Sequence, residues 1–209
     1  MRRSRSDLKP LGMRRRLMVA AVCLYGLAWL IACPLGAQRT DGSIDVPAEL
    51  QYTLLTRILT FDRNFMTGLG PELIIALVHQ PGFPESRDFA REFEAAWKGT
   101  GIRDFGGRPI RVVHVELQSI TQLRRTLDTT RATVALIAPL RGVSVRETIE
   151  AVRGAGVRTV ASVAGYVEEG AAVGFAVRGG KPRIRINLAA SRQEGSDFDA
   201  KLLTLAEVL

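Results

Sequence analysis

GYVEEGAAVGFAVRGGKPRIRINLAASRQEGSDFDAKLLTL, residues 165–205, is the stretch whose reading decides the fold. Val173, Phe175 and Val177 alternate with Ala172, Gly174 and Ala176, and after a turn Ile184, Ile186 and Leu188 alternate with Arg183, Arg185 and Asn187. That is the period of two half-buried strands. Between them Arg178-Gly179-Gly180-Lys181-Pro182 supplies two glycines for positive φ and a proline suited to the start of an edge strand, so a hairpin at a sheet edge is expected. Asn187 is placed to cap a short helix stopped by Gly195. Ser196 is placed to cap a second one, with Phe198, Leu202, Leu205 and Leu209 on a common face.

Upstream, apolar runs alternate with amphipathic ones. The pattern predicts strands over Leu73–His79, Ile110–Leu117, Thr133–Ala138 and Arg158–Val163, with helices over Glu85–Lys98, Ile120–Leu127 and Val145–Arg153. Leu73-Ile74-Ile75-Ala76-Leu77-Val78 is apolar on both faces, which suits a strand between two helical layers. The expected fold is therefore α/β, a Rossmann-like three-layer sandwich with a mainly parallel sheet, extended by the antiparallel hairpin and the two short helices. Val46 to Asp62 carries Leu50, Leu54, Ile58 and Phe61 at helical spacing behind Pro47, and predicts a helix with one buried stripe.

The run V-G-F-A-V-R-G-G-K-P-R-I-R-I-N-L-A-A-S-R (173–192), followed by D-A-K-L-L-T-L-A (199–206), resembles the C-terminal signature of the YfiR family. A looser similarity extends through Gly106-Gly107-Arg108-Pro109-Ile110 and Leu136-Ile137-Ala138-Pro139. These are small periplasmic regulators, whose characterised role is to bind the periplasmic part of a membrane diguanylate cyclase and hold it inactive; the partner this implies here is a membrane signalling protein, a diguanylate cyclase or a sensor kinase. The resemblance implies a non-catalytic periplasmic regulatory or sensing protein whose release of a cyclase lets cyclic-di-GMP rise. The alternative is a periplasmic solute-binding module resembling one lobe of a transporter-associated binding protein. A homodimer is compatible with either.

Arg2, Arg3, Arg5, Lys9, Arg14, Arg15 and Arg16 precede an apolar run from Leu17 to Cys33 and small residues at Gly36 and Ala37, the layout of a signal peptide. Two cleavage readings stand: ordinary cleavage of a signal peptide 1–37, or a lipoprotein leader 1–32 in which Leu30-Ile31-Ala32-Cys33 is a lipobox and Cys33 is lipidated. An uncleaved anchor is a third reading, at the short end of a spanning helix. Residues 38–45 read as a linker and 46–209 as one α/β domain. The formal charge of +8 is concentrated in the leader, so the domain is near neutral and a nucleic-acid surface is not expected. Both cysteines, Cys23 and Cys33, also lie in the leader, which leaves the domain without a disulfide. His79 and His114 are the only histidines, so neither a metal site nor a Ser-His-Asp device is expected.

Gly99-Thr100-Gly101 and Gly154-Ala155-Gly156 each follow a predicted helix and precede a strand, the reverse of a phosphate-binding loop, and are read as helix ends. No catalytic set and no cofactor motif is found, so an enzyme is not expected. If a small molecule binds, the fold puts it at the carboxyl ends of the parallel strands near the topological switch. The residues offered there are Gln80 for hydrogen bonding, Arg141 for an anion and Tyr166 for stacking. Arg183 and Arg185, on the exposed face of the edge strand, are the candidate partner surface, although charge on an edge also serves to block aggregation. Glu168 and Glu169 are adjacent in sequence and read as solvated turn residues.

Overall fold

The apolar run Leu73–His79 is buried along its whole length, because the sheet it belongs to is covered by helices on both sides. The computed structural model describes residues 44–209; the expected signal segment, the lipidation candidate Cys33 and most of the linker lie outside the described residues. In chain order the elements are α1 (Ala48–Leu59), the single turn α2 (Phe65–Gly68), β1 (Leu73–His79), α3 (Pro84–Gly99), β2 (Asp104–Phe105), β3 (Arg108–Glu116), α4 (Ile120–Thr130), β4 (Val134–Ile137), α5 (Val145–Gly154), β5 (Arg158–Ala161), β6 (Val173–Arg178), β7 (Lys181–Ile186), α6 (Leu188–Gln193), α7 (Ala200–Leu205) and β8 (Glu207–Val208). They build a mixed sheet in the order β2-β3-β1-β4-β5-β6-β7-β8. The strands β3, β1, β4, β5 and β6 run parallel; β2 joins β3 and β7 joins β6 antiparallel. The three-layer α/β expectation holds.

The alternation of side chains along β1 divides the core. Leu73, Ile75 and Leu77 meet Tyr52, Leu55, Phe89 and Phe93 of α1 and α3, where Tyr52 and Phe93 stack edge to face at 5.5 Å. Ile74, Ala76 and Val78 meet Leu123 and Leu127 of α4 and Ala151 and Val152 of α5. The chain goes from β1 outward to β3, then returns past β1 to β4. The helices before and after that return lie on opposite faces, so a crevice opens between the carboxyl ends of β1 and β4.

Several local expectations change. The buried stripe of α1 is Ala48, Gln51, Tyr52, Leu55, Ile58 and Leu59, while Leu50, Leu54 and Phe61 are only partly covered. Tyr52 sets that phase by reaching under α3, with its hydroxyl donating to Ile102 O at 2.7 Å. Gly179 and Gly180 both adopt positive φ and turn the β6–β7 hairpin as expected, but β7 is not wholly an edge. Residues 207–208 come back as β8 and pair with Arg185 and Ile186. Asn187 caps α6 through Ala190 N. Ser196 does not cap α7: Asp199 does, by accepting from Lys201 N at 2.8 Å, and Ser196 Oγ accepts instead from Arg158 Nε. Of the expected face of α7, Phe198 and Leu202 are buried whereas Leu205 and Leu209 are exposed.

The C-terminal segment is tied to the N-terminal helix through buried charge. Asp62, just after α1, is fully buried and pairs with Arg158 Nε at 3.2 Å, accepts from Asn64 N and Asp197 N, and forms an isolated bridge with Phe198. Arg158 also lies over the Phe65 ring at 4.9 Å. On the other side of β5, Glu194 accepts from Thr159 N and Oγ1 and pairs with Arg153. Burial pushes the Glu194 carboxyl up, against the opposing pull of Thr159 and Arg153.

Candidate functional site

The crevice at the topological switch is where Gln80 and Arg141 were expected, and the fold brings them together there. Gln80 follows β1 and Arg141 follows β4. Arg141 N donates to Gln80 Oε1 at 2.6 Å, and Gln80 Nε2 donates to Arg141 O at 3.1 Å. One side-chain amide thus clasps two loops across the crevice, using both its acceptor and its donor. The Arg141 guanidinium is left free of that clasp and lies 5.8 Å from the Phe83 ring centroid, at the rim of a cavity of about 360 Å³ lined also by Pro81, Gly82, Pro84 and Leu117.

Tyr166 belongs to the same network but faces inward. It is buried, and its hydroxyl accepts from Leu140 N at 2.8 Å, so it props the β4 loop from below. Burial pushes its hydroxyl above the ordinary tyrosine value. Its ring is not open to stack on a ligand, contrary to expectation, because the 3-10 turn Ala164–Tyr166 tucks it against Ile137 and Ile149.

The two edge arginines separate. Arg183 is exposed on the part of β7 that β8 does not reach. Arg185 is not on an exposed face: its side chain is only 13% exposed, pairs with Glu168 at 2.6 Å and donates to Ala164 O at 3.0 Å. The expectation failed there because β8 covers the end of β7 and brings Glu207 alongside. Glu168 and Glu169 are likewise engaged, the first by Arg185 and the second by Arg146 at 3.2 Å.

A further group lies on the α3 side of the sheet. Register places His79 of β1 opposite Glu116 of β3, two residues beyond His114 on the same face. His79 Nε2 stands 3.4 Å from His114 Nδ1, their rings meet edge to face, and His114 Nε2 stands 3.2 Å from Glu94 Oε2 of α3. A carboxylate only accepts, so neutral His114 carries its proton on Nε2 and accepts on Nδ1. His79 then donates from Nε2, and its Nδ1 is a bare, buried acceptor without a partner. Burial, and next the charge of His114, pull His79 below the ordinary histidine value. Lys98 Nζ, at 2.7 Å, is the chief cause of the lowered carboxyl of Glu94. Nothing in the sequence signals this chain of three, since only the pairing of β1 with β3 assembles it.

Among the described residues there is no group of three His, Cys, Asp or Glu side chains suited to a metal, and no helix long and apolar enough to cross a membrane. The YfiR/HmsC-like family profile matches residues 75–207, which takes in the sheet from β1 to β8 and all the helices from α3 onward. The chain belongs to the YfiR/HmsC-like family. Membership places it, in general terms, among periplasmic regulators. No curated protein sequence matches it. Among solved structures, it is similar to a conserved domain protein from Vibrio cholerae (TM-score 0.57, 16% identity, 78% of this chain and 60% of that one). It is also similar to a Streptococcus pneumoniae ABC domain in complex with L-Trp (0.55, 13%, 78% and 62%). A third is a ligand-free, open substrate-binding protein with adhesive properties from Clostridium difficile (0.54, 10%, 78% and 60%). At these identities the likeness is one of fold, and this YfiR/HmsC-like chain spans about three fifths of the length of those proteins.

Proposed function

We propose that this chain is a non-catalytic periplasmic regulator that works by contact, binding the periplasmic domain of a membrane signalling protein, such as a diguanylate cyclase or a sensor kinase. The observation that carries this reading is the YfiR/HmsC-like match, which runs through the whole sheet and ends in the hairpin and helices of the C-terminal signature. The state of the crevice supports it. Gln80 is spent on the backbone of Arg141 and Tyr166 on that of Leu140, so the side chains best placed to hold a solute instead hold two loops together. Arg183, with Lys181, presents positive charge at the open end of β7 as the contact surface, next to Arg178, which pairs with Glu207 at 2.8 Å. Calorimetry between the purified chain and the periplasmic domain of a membrane cyclase encoded beside it should give a complex that Arg183→Glu weakens; absence of binding to such a domain refutes the reading.

The solute-binding alternative draws on the fold of the substrate-binding protein from Clostridium difficile and on the cavity beside Arg141. A ligand in that cavity would raise stability by about 2.7 kcal/mol at 100 times its Kd. A screen of small solutes by thermal unfolding that gives such a rise, and loses it in Arg141→Ala, would favour this reading over the first.

A further inference from the structure

Between α3 and the carboxyl ends of β1 and β3 lies a cleft of about 380 Å³, lined by His79, Arg87, Ala90, Arg91 and His114. It is separate from the switch-point cavity beside Arg141. Its rim carries two guanidinium groups one helical turn apart on α3. Arg87 donates to Pro81 O at 3.1 Å, and Arg91 pairs with Asp88; both side chains are exposed and have further N–H groups to offer. Its floor is His79, which is 8% exposed and whose Nδ1 has no partner. The charged and titratable groups around His79 are Arg87 and Arg91 from α3 and His114 and Glu116 from β3, with Glu94 of α3 reaching it only through His114.

Glu94 is already shared between His114 and Lys98, Asp88 is taken by Arg91, and Glu116, the acidic neighbour of His79 on β3, accepts from Gln118. A proton on His79 would then put a positive charge, and an N–H without an acceptor, into a buried position beside two arginines. An oxyanion held by those arginines removes that cost. We propose that this cleft binds a small anion of the carboxylate or phosphate class, seated against Arg87 and Arg91, and that binding draws a proton onto His79. The stems of Arg87 and Arg91 give the cleft an apolar lining, which suits an anion with a compact apolar body. The two guanidinium groups direct the site toward anions. The proposal does not rest on the regulatory reading, and its readouts do not involve a partner.

Benzoate serves as the carboxylate probe and sulfate as the phosphate-class probe, because neither changes charge near neutral pH. Isothermal titration of the full chain in buffers of different ionisation heat should show uptake of about one proton per anion, and affinity about tenfold tighter per pH unit lowered through the histidine range. The His79 imidazole, followed by NMR in the unmodified protein, should shift its titration midpoint upward when the anion is added. Arg91→Gln, at an exposed position that leaves the fold intact, should weaken binding by roughly tenfold or more, in line with the loss of a charge-assisted contact. Binding of benzoate alone assigns the site to carboxylates, binding of sulfate alone to phosphate-like groups, and binding of both to small oxyanions at large. The proposal is overturned if neither binds at concentrations that reveal a Kd of about 1 mM. It is equally overturned if binding leaves the His79 titration and the proton count unchanged, or persists undiminished in Arg91→Gln.

Discussion

Asp62 joins the end of the first helix to the C-terminal segment, and its replacement by alanine tests how firmly that junction holds the domain together. The carboxylate is fully buried, meets Arg158 Nε at 3.2 Å, and accepts from the amides of Asn64 and Asp197, both at 3.0 Å. Arg158 is itself only 18% exposed, so Asp62→Ala leaves a mostly buried guanidinium with Ser196 and the Phe65 ring as its remaining partners. Breaking a buried pair from one side costs about 3–5 kcal/mol. The two amides add little, because Asn64 and Asp197 are near solvent and water replaces the lost acceptor. Against a total stability of about 5–15 kcal/mol this is a large share, and in a domain of this size it lowers Tm by roughly 10 °C. Urea unfolding followed by circular dichroism should show the midpoint fall with the slope unchanged. A cycle with Arg158→Met separates the parts: once the arginine is gone, Asp62→Ala removes a buried carboxylate that has lost its partner and should cost about 1 kcal/mol or less. A loss below about 1 kcal/mol for Asp62→Ala alone refutes the view that this pair anchors the C-terminal segment.

Three further outcomes follow from the packing and the charges. Gly174→Ala places a methyl group 2.4 Å from Val167 Cγ2 inside β6, an overpacking that should cost about 1–3 kcal/mol in thermal unfolding; an unchanged Tm would mean that the β5–β6 layer yields more than its burial implies. Arg185→Ala should destabilise by about 1–2 kcal/mol through loss of Glu168 and Ala164 O, whereas Arg183→Ala at the exposed position should stay within about 0.5 kcal/mol, and equal effects would contradict the burial difference. His79 is held below the ordinary histidine value, so the unfolded chain binds its proton more readily than the folded one, and this contribution to stability is present above about pH 6.5 and is lost as pH falls through that value. Denaturant titrations at pH 7.5 and 5.5 should therefore show a steeper loss for the natural chain than for His79→Gln; identical pH slopes would refute the assignment.

Long apolar runs and hairpin chemistry were legible because each depends on residues adjacent in sequence. The strand Leu73–His79 and the paired glycines at 179 and 180 could be placed from the chain alone. What escaped depends on contacts distant in sequence. The two-residue strands Asp104–Phe105 and Glu207–Val208 are too short to show a period, and the second of them covers Arg185, which alternation alone assigned to an open face. The buried stripe of the first helix is rotated from the expected one because Tyr52 reaches under the neighbouring helix to Ile102, a partner that sequence spacing does not identify. At the candidate site, topology correctly brought Gln80 and Arg141 to one crevice, since both follow parallel strands flanking the switch. That their polar groups would be consumed by each other, and that Tyr166 would turn inward, depends on loop conformations that the residue types leave open. The His79, His114 and Glu94 chain was invisible for the same reason as the short strands: three elements must first be assembled.

The proposal that this YfiR/HmsC-like chain acts by restraining a membrane cyclase is tested most directly by measuring intracellular cyclic-di-GMP in a strain lacking the gene and in the same strain carrying either the natural chain or Arg183→Glu. The account predicts a rise on deletion, return to the original level with the natural chain, and failure of Arg183→Glu to restore it although the variant is present and folded. Levels unchanged by deletion, in cells that normally produce the protein, would contradict it.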